Sequence, residues 1–526
     1  MIKTDITVSV GFTDGEIKEK VSERLGIDKN EIKDMKIVRS HLDFSDKGNI
    51  HYKLSVGIST DEEREIGLLK MKKKVSPYHQ LSFSAPKSRL EKRPVIVGAG
   101  PAGLFCALVL AEGGANPLIL ERGLPVDERG KKVNEFFITG KLDTECNIQF
   151  GEGGAGAYSD GKLKSGSYDK YKMKVLTEFV SCGGSEDITY STSAHLGTDK
   201  LAGIIKALRE KIISLGAEFV FSAKMTDFSQ KQGKIASVEY EKNGKKYTVP
   251  TDKLILATGH SARDVYYMLR DKGVSMTAKG FGIGVRIEHK REYINKLQYG
   301  SNYSSELPTA SYHLVTHLQG GRSIYSFCMC PGGVVVPAAS EAGGVVTNGM
   351  SEYKRDAENS NSALLVSVTP EDFGSDDVLA GIELQRKIER AAYKAAGENY
   401  HAPTQRLGDF VNNKKTESFG SVLPSYRIGT ESVELEEYLP KAVTGSLREA
   451  IPDFDKWLSG YYEPDAVLTG AETRSTSPLR VTRKESYEAI SVCGLYPIGE
   501  GAGYAGGIVS SAADGVRCAE AILQNS

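Results

Sequence analysis

The chain predicts an α/β fold: a Rossmann-like dinucleotide-binding domain, a β-rich domain inserted into it, and a small N-terminal α+β unit. Three observations carry this. Residues Val95 to Gly103 read Val-Ile-Val-Gly-Ala-Gly-Pro-Ala-Gly, an apolar strand running into a Gly-x-Gly-x-x-Gly turn. A second apolar run, Leu118 to Leu120, ends in Glu121 at the spacing that such βαβ units use. Far downstream, Leu495-Tyr-Pro-Ile-Gly-Glu-Gly-Ala-Gly repeats the pattern of a strand meeting a Gly-rich turn.

Taken in order, residues 1–80 form the small α+β unit. Alternating apolar positions (Ile6, Val8, Val10 and Tyr52, Leu54, Val56, Ile58) predict two strands, and Thr13-Asp-Gly-Glu16 predicts a capping box opening a helix between them. A basic, polar stretch from Lys70 to Arg93 follows and leads into a linker at 81–93. Residues 94–273 alternate strands and helices, with strands near 218–223, 234–240 and 253–257 and a helix around 200–215. The character turns β-rich over 274–465, with one polar helix from Asp377 to Ala396, which reads as an inserted substrate or cap domain. Residues 466–526 return to the nucleotide-binding domain.

Within the first βαβ unit each residue has a physical task. Gly98 permits the tight turn, Gly100 lets backbone approach a pyrophosphate, and Gly103 lets the next helix pack on the strand. The helix opening at Pro101 and Ala102 aims unpaired N–H groups and its positive end at phosphate, and Glu121 can accept hydrogen bonds from a ribose. Ala257-Thr-Gly259 ends a later apolar run in small residues, which lets backbone pass a bulky ligand.

Composition narrows the partners. The 526 residues carry 67 basic and 68 acidic side chains and a net charge of −1, so no global field favours nucleic acid or an acidic membrane. Seven cysteines, odd in number and scattered, imply reduced thiols and a cytoplasmic setting. The expected partner is a small molecule, with no nucleic acid, no membrane and no metal; the oligomeric state is not legible.

The longer motifs carry a resemblance. Gly-Ala-Gly-Pro-Ala-Gly103, Glu121-Arg122, Ala257-Thr-Gly259 and Ile498-Gly-Glu-Gly501 together resemble the FAD-dependent oxidoreductases of the two-dinucleotide-binding-domain superfamily. Asn147-Ile-Gln-Phe-Gly-Glu-Gly-Gly-Ala-Gly-Ala-Tyr-Ser-Asp-Gly-Lys162, Ala257-Thr-Gly-His-Ser-Ala-Arg-Asp264, Cys328-Met-Cys-Pro-Gly-Gly333 and Gly499-Glu-Gly-Ala-Gly-Tyr-Ala-Gly-Gly507 resemble, more closely, a bacterial family of FAD-dependent dehydrogenases of unknown substrate. The resemblance runs over nearly the whole chain and implies non-covalent FAD.

On that resemblance, Gly151, Gly153, Gly154 and Gly156 make a loop whose free backbone N–H groups suit the ribityl chain and the flavin ring, with Ser159 and Lys162 adding polar contacts. Glu500 matches the acid that the superfamily sets against the ribityl hydroxyls, although many relatives carry the shorter Asp. The helix after Gly506 and Gly507, beginning at Ile508, would aim its N-terminus at the flavin.

No second Gly-x-Gly-x-x-Gly turn of a dedicated NAD(P)H domain, running straight from a strand into a helix, is present, and Phe281-Gly-Ile-Gly284 continues as a strand, so NAD(P)H is at most a transient donor. Candidate catalytic residues are His260, Cys328, Cys330, Arg286 and Arg474. His260 could donate a proton, although Ser261-Ala-Arg-Asp264 also reads as a capping box. Cys328 and Cys330 on one strand would share a face, as a redox pair or as soft lining of a cleft. Arg286 with Glu288 and His289, and Arg474 with Glu472 and Arg480, stand at the two crossings into the inserted domain, where arginines suit a carboxylate or phosphate.

The expected function is a hydride transfer between a small organic substrate and flavin N5. The alternatives are a flavin monooxygenase, and an FAD-binding RNA-modifying or regulatory protein. A basic patch formed only in three dimensions, from the linker and Lys70 to Lys74 with Tyr78 and Phe83, would favour the latter.

Overall fold

The computed structural model describes residues 1–70, 74–164 and 168–525. Part of the basic run from Lys70 to Lys74, namely Lys72 and Lys73, lies outside the described residues.

Strands Ile2–Val8, Asp34–Asp43, His51–Ser59 and Val75–Pro77 form one antiparallel sheet, with Ile2–Val8 between the third and fourth strands. Helices Asp14–Leu25 and Glu62–Leu69 accompany it, and Val21, Val56 and Ile58 lie at the centre of this unit's core. Only half of the predicted capping box forms. Thr13 Oγ1 accepts from the Glu16 amide at 3.3 Å, but the Glu16 carboxylate turns to the Ser9 amide and hydroxyl, because the chain entering the helix brings those donors within its reach. Strand Asp34–Asp43, absent from the sequence reading, docks the unit onto the next domain. The Ser40 amide donates to Tyr190 O, and Thr192 N donates to Ser40 O, both at 2.9 Å.

The nucleotide-binding domain is a five-stranded parallel sheet in the order Leu495–Pro497, Leu254–Leu256, Val95–Val97, Leu118–Leu120, Glu218–Val220. Alternation along these strands sorts the two faces. Ile96, Ile119 and Ile255 pack under helices Pro101–Glu112, Lys170–Ser181, Gly197–Ser214 and Ile508–Gln524. Val95, Val97, Leu118 and Leu254 face helix Arg263–Asp271 and an antiparallel sheet of Lys224–Lys231, Lys234–Lys242 and Lys245–Pro250.

The inserted domain is built on a seven-stranded sheet with Asn359–Val368, Phe281–Lys290 and Val467–Glu472 at its centre. One boundary moves. Strand Val467–Glu472, assigned from sequence to the returning nucleotide domain, pairs with Phe281–Lys290 and Ala402–Arg406 instead. All six of its residues are buried, and a strand covered on both faces reads alike in either sheet. The crossing lies where Met276–Ala278 pairs with Leu479–Val481. No helix among the described residues is long and apolar enough to cross a membrane.

Candidate active site at the carboxyl edge of the parallel sheet

The parallel strands end together at one edge, the place where open α/β sheets bind ligands. A cleft opens there. Of the residues expected to hold a cofactor, Gly98, Gly100, Pro101, Ala102, Glu121, Arg122, Gly154, Gly156, Ala257, Thr258, Gly259, Gly499, Glu500 and Gly507 line it. Two glycines show why the turn needs them. Gly98 has φ +104°, and a Cβ there would sit 2.3 Å from Ala257 O; a Cβ on Gly103 would sit 1.9 Å from Gly98 O.

Glu121 closes the second strand and is 5 % exposed. Its carboxylate accepts from the amides of Ala99 at 2.8 Å and of Gly123 and Gly151 at 2.9 Å. A carboxylate offers about four lone-pair sites, so one acceptor position remains toward the cleft. Two helices begin at the cleft wall. Helix Pro101–Glu112 starts after Gly100 and helix Ile508–Gln524 after Gly507, and neither has a side-chain cap. Their first-turn amides and positive dipole ends therefore suit an anion.

The other expected cofactor residues stand behind this wall. Gly103 serves the helix–strand contact. The loop amides expected to be free are engaged: Gly151 on Glu121, Gly153 on Ala99 O at 2.8 Å and Gly154 on Gly151 O at 2.9 Å. The loop is held rigid by these bonds and offers its surface rather than a row of donors. Ser159 is turned inward, donating to Gly156 O and accepting from the Gly161 amide. Lys162 pairs with Asp160 at 2.8 Å and donates to Met329 O. Gly506 is exposed, and Ile508 packs against Gly156.

Several contributors were not foreseen. Gln149, Ala223, Met225, Val265 and Ser511 also line the cleft; Ala223 and Met225 follow the third parallel strand, where no motif marks them. Beneath the Gly-rich loop, fully buried Arg129 donates to the carbonyls of Asn147, Glu152 and Gly154 at 2.7–3.0 Å. An arginine in an amphipathic helix reads from sequence as a surface residue, so this brace was hidden. Arg122 lies over the Phe150 ring at 4.4 Å and grips Asp264 with two hydrogen bonds.

Asp264 is thus no cap. Helix Arg263–Asp271 starts at Ala262 without a side-chain cap, and the Ser261 hydroxyl donates to Gln149. The predicted box fails because an arginine partner outcompetes a backbone amide for the carboxylate. His260 lines the cleft with its Nδ1 3.5 Å from Glu500 Oε1. Its Nε2 is buried without a hydrogen-bond partner among the described residues.

The candidate residues of the inserted domain are arranged otherwise than expected. A bulge between Phe327 and Cys330 breaks the strand's alternation, with Cys328 at φ +41°. Cys328 is exposed and Cys330 buried, so the two thiols do not share a face. Burial pushes the Cys330 thiol up. Arg286 is fully buried and paired with Glu472, Asn361 and Asn348. Arg474 holds Glu389 through Nε and Nη2 and donates to Ser261 and Ser340 through Nη1. Both guanidiniums are therefore occupied by protein acceptors rather than open to a substrate anion. Glu288 and His289 are buried in the same sheet, on Ser425 and Asn359 and on Tyr461 O, while Arg480 lies over the Tyr504 ring.

The residues present fit FAD. Two helix ends without side-chain caps suit the negative charge of such a cofactor, Glu121 keeps an acceptor for a ribose, and the buried Nε2 of His260 lacks, among the described residues, the partner a polar ligand would supply. Comparison with known proteins agrees. Residues 280–475 match the family model for the FAD-dependent protein, C-terminal domain-like, and residues 92–298 match that for pyridine nucleotide-disulphide oxidoreductase. A Clostridium beijerinckii protein described as uncharacterised is 45 % identical over 97 % of this chain and 96 % of its own. Among solved structures, a flavoprotein/dehydrogenase from Cytophaga hutchinsonii is 10 % identical, with TM-score 0.37 over 83 % of this chain and 79 % of that one. A flavin-dependent brominase is 12 % identical, with TM-score 0.39 over 82 % and 78 %. Likenesses this remote say nothing of the reaction. The chain belongs to the same family as the Clostridium beijerinckii protein, a family of FAD-dependent oxidoreductases.

Proposed function

We propose that the protein is a dehydrogenase or reductase that moves a hydride between a small organic substrate and non-covalently bound FAD. The observation that carries this reading is the cleft itself, where two uncapped helix ends, Glu121 and an unpartnered His260 nitrogen converge beside the domain crossing. When bound, FAD supplies the two-electron chemistry at its ring nitrogen. The helix ends at Gly100 and Gly507 hold the negative charge of the cofactor, and Glu121 orients a ribose through its remaining lone pair. His260, steadied on its Nδ1 side by Glu500, presents Nε2 to the cleft and holds or releases a proton there.

Arg474 and Arg286 act as positioning residues. Arg474 ties the inserted domain to Ser261 at the cleft wall, and Arg286 fixes the bulged strand through Cys328 O. Of the three Gly-x-Gly-x-x-Gly stretches, at 98–103, 151–156 and 501–506, only the first runs straight from a strand into a helix, and among the described residues there is a single all-parallel sheet. A nicotinamide donor would therefore share the substrate cleft and leave after reduction.

Anaerobic titration of the purified holoenzyme with NADPH and then NADH, followed in the visible spectrum, tests this. Bleaching by one donor, with slow recovery in air, is the expected result. A flavin that both donors leave oxidised would remove the nicotinamide step, and rapid oxygen uptake by the reduced protein would favour a monooxygenase.

A further inference from the structure

The net charge of −1 conceals a strong local imbalance. Two open clefts adjoin through shared wall residues Arg39 and Ser55 on the N-terminal sheet. Together their walls carry eight lysines and arginines against two carboxylates, Asp5 and Glu23. Those carboxylates are engaged, Asp5 by the Ser55 hydroxyl at 2.6 Å and Glu23 by Lys20 at 3.1 Å. Among the described residues, Lys3, Arg24, Arg39 and Lys164 have no carboxylate at ion-pair distance. Natural surfaces intersperse charge, and a concave run of one sign focuses potential on a ligand of the other.

The groove is built where two domains meet. Strand Asp34–Asp43 presents Arg39 and His41, and its Ser40 pairs with Tyr190 and Thr192 of the nucleotide domain. Lys164 and Tyr190 line the same cleft as Arg39. Tyr168, 53 % exposed, stands in the same wall. The cations are spread along both clefts rather than converging on one point, which suits a chain of phosphates more than a single anion. An exposed aromatic beside such a track is what stacks on an unpaired base.

We propose that this groove binds single-stranded nucleic acid, with Arg39, Lys164, Lys3 and Arg24 along the phosphates and Tyr168 against a base. The site is separate from the FAD cleft and does not depend on the redox reading. This is not the patch anticipated from the linker with Tyr78 and Phe83: the groove draws on the N-terminal unit with Lys164 and Tyr168, and only Lys74 comes from the Lys70 to Lys74 run.

Fluorescence anisotropy with a labelled oligo-uridylate, read on the holoenzyme at low salt, tests the proposal. Binding should weaken linearly on a log–log salt plot, with a slope near −0.7 for each phosphate neutralised. The double variant Arg39→Ala/Lys164→Ala should bind at least about tenfold more weakly and reduce the slope by about 1.4. Its flavin spectrum and melting temperature should stay unchanged, since neither residue touches the FAD cleft. Tyr168→Ala should weaken binding with no change of slope. Absence of binding to the wild type, equal binding by the double variant, or uridine monophosphate binding as tightly as the oligomer would each overturn it.

Discussion

Glu121 concentrates the argument at the scale of a residue. Its carboxylate satisfies three buried amides and faces the cleft, so Glu121→Ala strands donors that cost about 1–3 kcal/mol each when unpaired. The variant should melt earlier and bind FAD at least about tenfold more weakly, measured by flavin retained through gel filtration. His289 tests burial of a different kind. Burial holds its pKa near 4, whereas the unfolded chain takes up that proton near about 6.5. The unfolded state therefore binds more protons between those values, and stability falls as pH drops from about 6.5 toward 4, by up to about 3 kcal/mol. Urea unfolding across that range should show the loss, and His289→Gln should flatten it. Legibility divides along the same line. Glu121 stands at a motif spacing and could be read from the chain, whereas Arg129 and Glu389 act through partners distant in sequence and carry no local mark.

At the scale of elements, helix Ile508–Gln524 lies against helix Pro101–Glu112 so closely that a Cβ on Gly515 would sit 2.1 Å from Ala102 O. Gly515→Ala must push the helices apart, and overpacking of this kind costs about 1–3 kcal/mol. Because Ala102 lines the cleft, the variant should lose FAD as well as stability. Gly506→Ala is the control, since nothing lies within 4 Å of the added carbon, and its melting temperature should match the wild type. Strands Val95–Val97 and Leu118–Leu120 and the helix between them were legible because turn chemistry and apolar pattern agree there. Strand Val467–Glu472 was assigned to the wrong sheet because burial on both faces erases the pattern that distinguishes partners. The bulge at Cys328 was invisible for a related reason: alternation predicts a face only while the register holds.

For the whole molecule, the joint between the nucleotide and inserted domains is a buried charge network. Glu389, 1 % exposed, is gripped by Arg263 and Arg474 at 2.7–3.0 Å, and the two guanidiniums hold its carboxyl well below the usual range. Removing one partner from such a cluster leaves uncompensated charge and costs about 3–5 kcal/mol. Glu389→Gln should lower the unfolding midpoint by that measure and expose the crossing near residues 273–281 to protease, while wild type resists under the same conditions. Overall charge does not report local charge at this scale. The chain is nearly neutral, yet tertiary structure gathers cations of two domains along adjoining clefts.

The central claim is that the cleft at the sheet edge holds FAD, and the most direct test is the visible absorption of the purified full-length protein, followed by analysis of what denaturation releases. The account predicts oxidised-flavin bands, intact FAD released without covalent attachment, and loss of both in Glu121→Ala. A folded, colourless protein that takes up no added FAD would contradict it.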